Sequence, residues 1–182
     1  MRDRCLDAAD QLFYARGIRA VGIDAVRDRA GVSLKGMYNE FGSKSGLVDA
    51  YLDRRHERWM SWLESRLEQA ADDPHRRLSA LFEALGEWFA GSGFAGCAFI
   101  NAYGEWAGTG AVASRAAWHK ERLANVVGKL AEQLNPTAAA ELGEELMMLI
   151  EGAIVRASLG RRSDAAKTAL AIARNLVRSP TV

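Results

Sequence analysis

The 182-residue sequence predicts an all-α protein, and three observations predict it. Apolar residues recur at i, i+3, i+4 and i+7 in segment after segment, the spacing of one helix face. Nowhere do apolar and polar residues alternate over a run of positions, as in a half-buried strand. Start and stop signals punctuate the segments, and Asp73-Pro74 and Asn135-Pro136 are the clearest. In each, a capping side chain precedes a proline, whose missing N–H is no loss at the first helical position.

The elements follow in order. A first helix is expected from Asp3 to Arg16, with Leu6, Ala9 and Phe13 facing inward and Gly17 ending it. In a second, Ile23, Val26 and Ala30 share a face; Gly31 can turn left-handed at its end, and Val32 is the apolar residue of the turn. Ser33 is a good N-cap for a third helix, which carries Met37 and Phe41 at i, i+4. Ser43 caps a fourth, from Lys44 to about Ala71, whose apolar positions include Leu47, Val48, Tyr51, Leu52, Trp59, Trp62, Leu63 and Leu67. The fifth starts at Pro74 and holds Leu78, Leu81, Phe82, Leu85, Trp88 and Phe89. Glycines 91, 93 and 96 then loosen the chain around Phe94, and CAFINAYGEWAG (97–108) reads as a shorter helix. The seventh runs from about Ala111 to Leu134 and the eighth from Pro136 to about Leu159, apolar at Leu142, Leu146, Leu149, Ile150 and Ala153. Gly160 closes it, and Ser163 caps an alanine-rich ninth helix through Leu176.

The stretch IDAVRDRAGVSLKGMYNEF (23–41) organises the rest. Two short helices joined by a tight turn with glycine form a helix-turn-helix, whose second helix presents Leu34, Lys35, Gly36 and Asn39 outward, toward a DNA major groove. The segments LDAADQLFYARGIRAVGIDAV, RAGVSLKGMYNEF and GSKSGLVDAYL match in order, spacing and residue type. Through them Leu6–Leu52, roughly a quarter of the chain, resembles the DNA-binding domain of the tetracycline-repressor (TetR) family of transcriptional regulators. The resemblance implies a three-helix head on a larger all-α regulatory domain that dimerises. It divides the chain into a DNA-binding domain, residues 1–46, and a six-helix ligand-binding and dimerisation domain, residues 47–182. It makes Tyr38 a phosphate-contacting tyrosine and Lys44 a lysine beside the DNA backbone, where a helix N-terminus also favours anions. With Ser33, Leu34, Lys35, Gly36 and Asn39 these form the expected DNA-binding set. Leu34 stands where a basic residue is common, Gly36 where Ser or Thr is common, and Glu40 adds a carboxylate; Val21-Gly22 lacks the usual hydroxyl pair. Fewer phosphate contacts mean weaker non-specific binding that is still salt-dependent.

Composition narrows the function classes. Formal net charge is +1; residues 1–46 hold eight basic and six acidic side chains, so DNA affinity rests on the placement of a few charges. Cys5 and Cys97 cannot make a disulfide framework. No signal peptide opens the chain and no apolar run approaches ~20 residues, so the expected setting is cytoplasmic, with no membrane partner. His56, His75 and His119 show no ligand spacing, so no metal or cofactor is expected, and His119 beside Lys120 reads as surface. Cys97 has no nearby cation to activate it and reads as a small buried residue.

In the regulatory part, Trp59, Trp62, Trp88, Phe89, Phe99, Tyr103, Trp106, Met147 and Met148 are either core or the lining of a cavity. The polar groups Asn101, Glu105 and Glu151 interrupt this region and favour a ligand pocket; Glu151 in MMLIEGAIV needs Arg156, Arg115 or a ligand donor as partner. Small residues on helices eight and nine point to a four-helix dimer interface of Leu149, Ala153, Ala157, Ala165, Ala169, Ile172, Ala173 and Leu176. The expectation is a homodimeric repressor that binds a palindromic operator and is released by a small apolar or aromatic effector. The alternative is a helical small-molecule-binding or interaction protein with weakened DNA binding. No nucleophile–base pair, phosphate-binding glycine loop or metal cluster supports an enzyme.

Overall fold

The computed structural model describes residues 1–70, 72–106, 110–160 and 164–178, and among them the chain forms nine α-helices and no strand. They are α1 (Arg2–Arg16), α2 (Ile23–Ala30), α3 (Leu34–Phe41), α4 (Lys44–Gln69), α5 (Pro74–Ala90), α6 (Ala98–Glu105), α7 (Gly110–Leu134), α8 (Ala139–Gly160) and α9 (Ala165–Arg178). Several ends obey the local chemistry of the sequence. Oγ of Ser43 accepts from Gly46 N at 3.0 Å, and the Asp73 carboxylate accepts from His75 N at 2.9 Å. Asn135-Pro136 behaves differently: Oδ1 of Asn135 accepts from Thr137 Oγ1 at 2.8 Å and Ala138 N at 3.3 Å. The asparagine thus builds a turn of its own, and α8 starts at Ala139, three residues later than the proline suggested. Ser163, expected to cap α9, Ala71 at the expected end of α4, and residues 107–108 of the sixth segment lie outside the described residues.

The chain divides into two compact units: residues 1–59 with 98–119, and residues 60–97 with 120–182. The boundary at residue 46 read from the sequence falls inside the first unit. There Leu6, Ala9, Phe13, Val26, Met37, Leu47, Val48, Tyr51 and Leu52 are buried, the helical stripes read from the sequence. Phe13 meets Tyr51 edge-on, ring centroids 5.5 Å apart. Beside this core α1 and α4 exchange ions: Arg54 Nη2 lies 2.9 Å from Asp7 Oδ1, and Arg55 Nη1 lies 2.6 Å from Asp10 Oδ1. The Arg55 guanidinium also sits 3.5 Å from the Tyr14 ring centroid. Arg115 of α7 bridges Asp49 and Asp53, one turn apart on α4. In the second unit α5, α8 and α9 pack on one another. Leu78, Leu81, Phe82, Leu85, Leu123, Leu146 and Ile150 fill its interior.

Candidate nucleic-acid interface and effector site

The turn between α2 and α3 is set by two residues. Gly31 takes φ 63° and ψ 44°, the left-handed conformation in which a side chain is strained, and closes α2 with its N–H on Arg27 and Asp28 carbonyls. Oγ of Ser33 then accepts from Gly36 N at 3.1 Å and opens α3. The short helix that follows separates two faces. Met37 is fully buried, while Leu34, Lys35, Tyr38, Asn39 and Glu40 are exposed, Tyr38 by 45%. The structure therefore brings the expected DNA-facing residues onto one accessible side of α3, with Gly36 half-buried among them. The carboxylate of Glu40, which departs from the family pattern, is answered: Arg2 Nη1 lies 2.9 Å from its Oε1, and the same guanidinium sits 5.2 Å from the Phe41 ring centroid. Lys44 opens α4. A Cβ at Gly46, in that first turn, would run into the Phe41 carbonyl, so glycine lets α4 start this close to the end of α3.

The expected effector residues are divided. Trp59, Phe99, Asn101, Tyr103, Glu105 and Trp106 belong to the first unit, and Trp62, Trp88, Met147 and Glu151 to the second. In the first, Phe99 is buried and stacks on His119, centroids 3.8 Å apart and planes 8° apart; Trp59 meets the same imidazole edge-on at 5.7 Å. Asn101 and Tyr103 are exposed. Glu105 faces the α1–α2 loop, where its carboxylate accepts from Ile18 N at 3.0 Å and Arg19 N at 2.5 Å. In the second unit, Trp88 packs on Phe94 at 5.0 Å. Glu151 is half-buried and pairs with Lys120 at 2.6 Å, not with Arg115 or Arg156. Arg115 is already held by the two aspartates of α4. The second oxygen of Glu151 is buried without a hydrogen-bond partner among the described residues.

One residue that the sequence placed elsewhere joins this picture, together with one that it did not place. His119, read as surface, is 3% exposed, and its Nδ1 lies 2.9 Å from Nδ1 of His56, itself 7% exposed. Trp118 covers the His56 ring at 4.0 Å. The signal was present: His119 keeps phase with Ala116 and Leu123, both buried, so it lies on the inner stripe of α7. Cys97 is buried as expected. Burial also pushes the Cys5 thiol up, away from thiolate chemistry.

Helices α8 and α9 enclose a groove of about 300 Å³ between Met148, Leu149, Arg156, Thr168 and Ile172. Ala153, Ala165 and Ala169 form its floor and are buried within the chain, as are Ala157 and Ala173. The small residues assigned to a dimer interface thus serve first to bring helices of one chain together. What α8 and α9 leave uncovered is larger and apolar: Met148 is 75% exposed, Leu159 83%, Val155 42% and Ile172 44%. Leu149 and Leu176 are half-buried.

A left-handed glycine turn, a capped second helix and an accessible polar face on it define a helix-turn-helix protein. Residues 6–51 match the family model for bacterial regulatory proteins of the tetR family. A curated relative, the transcriptional activator FasR of Mycolicibacterium smegmatis, is 39% identical over 84 residues, 46% of this chain and 38% of that protein. The transcriptional repressor ComR of Escherichia coli is 32% identical over 101 residues, 55% of this chain and 48% of that protein. The matched part of the chain thus spans less than half the length of these relatives. The crystal structure of a TetR-family transcriptional regulator from Streptomyces coelicolor matches over 97% of this chain and 94% of that one, with TM-score 0.88 and 27% identity. Residues 6–51 thus form a segment of the tetR-family type, and the described residues share the fold of that regulator.

Proposed function

We propose that this protein is a homodimeric transcriptional regulator that binds a palindromic operator and is released from it by a small apolar or aromatic ligand. The single observation that carries the reading is the division of α3 into a buried Met37 and an exposed side bearing Lys35, Tyr38 and Asn39, with Lys44 opening the next helix. Side chains on such a face reach base edges, and a helix N-terminus receives phosphate. Dimerisation is supported by the exposed apolar residues of α8 and α9, which water would otherwise solvate. An effector site is supported by the partnerless oxygen of Glu151, which a ligand N–H or O–H would satisfy. One named relative is an activator and another a repressor; release from the operator on binding ligand makes this protein a repressor.

Selection from a pool of random duplexes tests the reading. A dimer should enrich a pseudo-palindrome whose half-sites lie one or more helical turns apart, ~34–36 Å per turn. Enrichment of nothing beyond non-specific DNA favours the alternative, a helical binding or interaction protein.

A further inference from the structure

The loop between α1 and α2 has no regular structure of its own to satisfy its backbone, and it leads directly into the helix-turn-helix. Gly17 leaves α1 at φ 87°, and Ile18 is buried while Arg19 is exposed. The next two N–H groups converge on a single acceptor, as in backbone concavities that hold an anion. Glu105 is that acceptor. Its Oε1 accepts from Ile18 N at 3.0 Å and its Oε2 from Arg19 N at 2.5 Å, and Arg19 Nη1 donates back to the Glu105 carbonyl at 2.9 Å. The carboxylate comes from the last residue of α6, more than eighty positions away in sequence. It also lies close over Gly17, where an added Cβ would meet Oε1 at 3.1 Å.

We infer that Glu105 is a positioning residue for DNA recognition: by holding both N–H groups of the α1–α2 loop, α6 fixes the path along which α2 and α3 leave α1. This rests on the DNA-binding reading above and gives Glu105 a role other than ligand contact. Charged acceptors make the stronger hydrogen bonds, and two converging on one carboxylate fix direction as well as distance. Arg19 completes the clasp from the other side. Among the described residues no other side chain accepts from these two N–H groups, so removing the carboxylate hands them to water and frees the loop.

The test uses the full chain and a duplex selected by the wild-type protein from a random pool. Glu105→Ala and the near-isosteric Glu105→Gln are compared with wild type by amide hydrogen exchange, far-UV circular dichroism and duplex affinity. The expected result is faster exchange at Ile18 and Arg19, by about tenfold, with helix content kept and affinity lowered by about tenfold in Glu105→Ala. Glu105→Gln keeps one carbonyl acceptor and should fall between the two. Arg19→Ala combined with Glu105→Ala should weaken DNA binding by less than the product of the single effects, because the two act through one clasp. Unchanged exchange at Ile18 and Arg19 would overturn the inference. So would faster exchange with unchanged affinity, which would make the contact structural only. If Glu105→Ala does not fold, Glu105→Gln and Arg19→Ala decide alone. Failure of the wild-type protein to select any duplex sinks the DNA-binding reading itself, and the inference with it, before any variant is made.

Discussion

Nδ1 of His56 lies 2.9 Å from Nδ1 of His119, and both rings are buried beneath aromatic side chains. At that distance one ring, and only one, carries hydrogen on Nδ1. The contact joins α4 to α7 inside the first unit. Replacing one ring removes the buried partner of the other, so His119→Leu should cost about 1–3 kcal/mol of folding stability. Denaturant unfolding measures it, and an unchanged midpoint would remove the pair from the account.

Lys44 provides the cleanest test of the DNA contact. Lys44→Ala should weaken binding to specific and random duplexes alike and lower the salt slope by about one. Asn39→Ala should instead weaken the selected duplex more than random DNA, because base contacts specify while phosphate contacts position. Equal losses on both duplexes for Asn39→Ala would place that side chain on the backbone.

The groove on α8 and α9 separates folding from association. Ala169 is 4% exposed in the single chain, so Ala169→Glu buries an unpaired charge and should cost several kcal/mol of folding stability. Ile172, 44% exposed on the same helix, should tolerate glutamate without loss of helix content. Light scattering of Ile172→Glu should then report a monomer where wild type reports a dimer. A dimer that survives Ile172→Glu and Met148→Glu moves the interface off this face.

Glu151 and Glu105 were equal candidates as ligand contacts, and their surroundings now divide them. Compounds that alter tryptophan emission should bind at least several-fold more weakly to Glu151→Gln. Glu105→Gln should leave that affinity within about twofold, since its oxygens already serve Ile18 and Arg19. A compound whose affinity depends on Glu105 and not on Glu151 would reverse the assignment.

Much of this was legible because its causes are local. A glycine that must turn left-handed and a serine three residues before an N–H specify the helix-turn-helix within ten positions, with no help from distant contacts. The apolar phase of α1, α2 and α4 likewise named Leu6, Ala9, Phe13, Val26, Ala30 and Leu47 as buried, while it passed over Cys5 and Ala8 and included the half-buried Ile23. What stayed hidden depends on partners far along the chain. Nothing near Glu151 announces Lys120, and nothing near Glu105 announces the N–H groups of Ile18 and Arg19. The alanines of α9 show a subtler limit. A small residue permits close helix packing, yet its sequence does not say whether the neighbour is in the same chain. Asn135 shows how local signals compete, since the same side chain serves as a helix cap or as the start of its own turn.

The ion pairs that join α1 to α4 have a bearing on handling the protein. Arg54 and Arg55 are only 13% and 17% exposed in their pairs with Asp7 and Asp10, so dissolved salt reaches them poorly. Phosphate contacts at an open surface are dispersed by the same salt far more readily. The two sensitivities therefore lie at different concentrations. A salt gradient that strips this protein from immobilised duplex should elute it with its head intact, ready to bind again when the buffer is diluted.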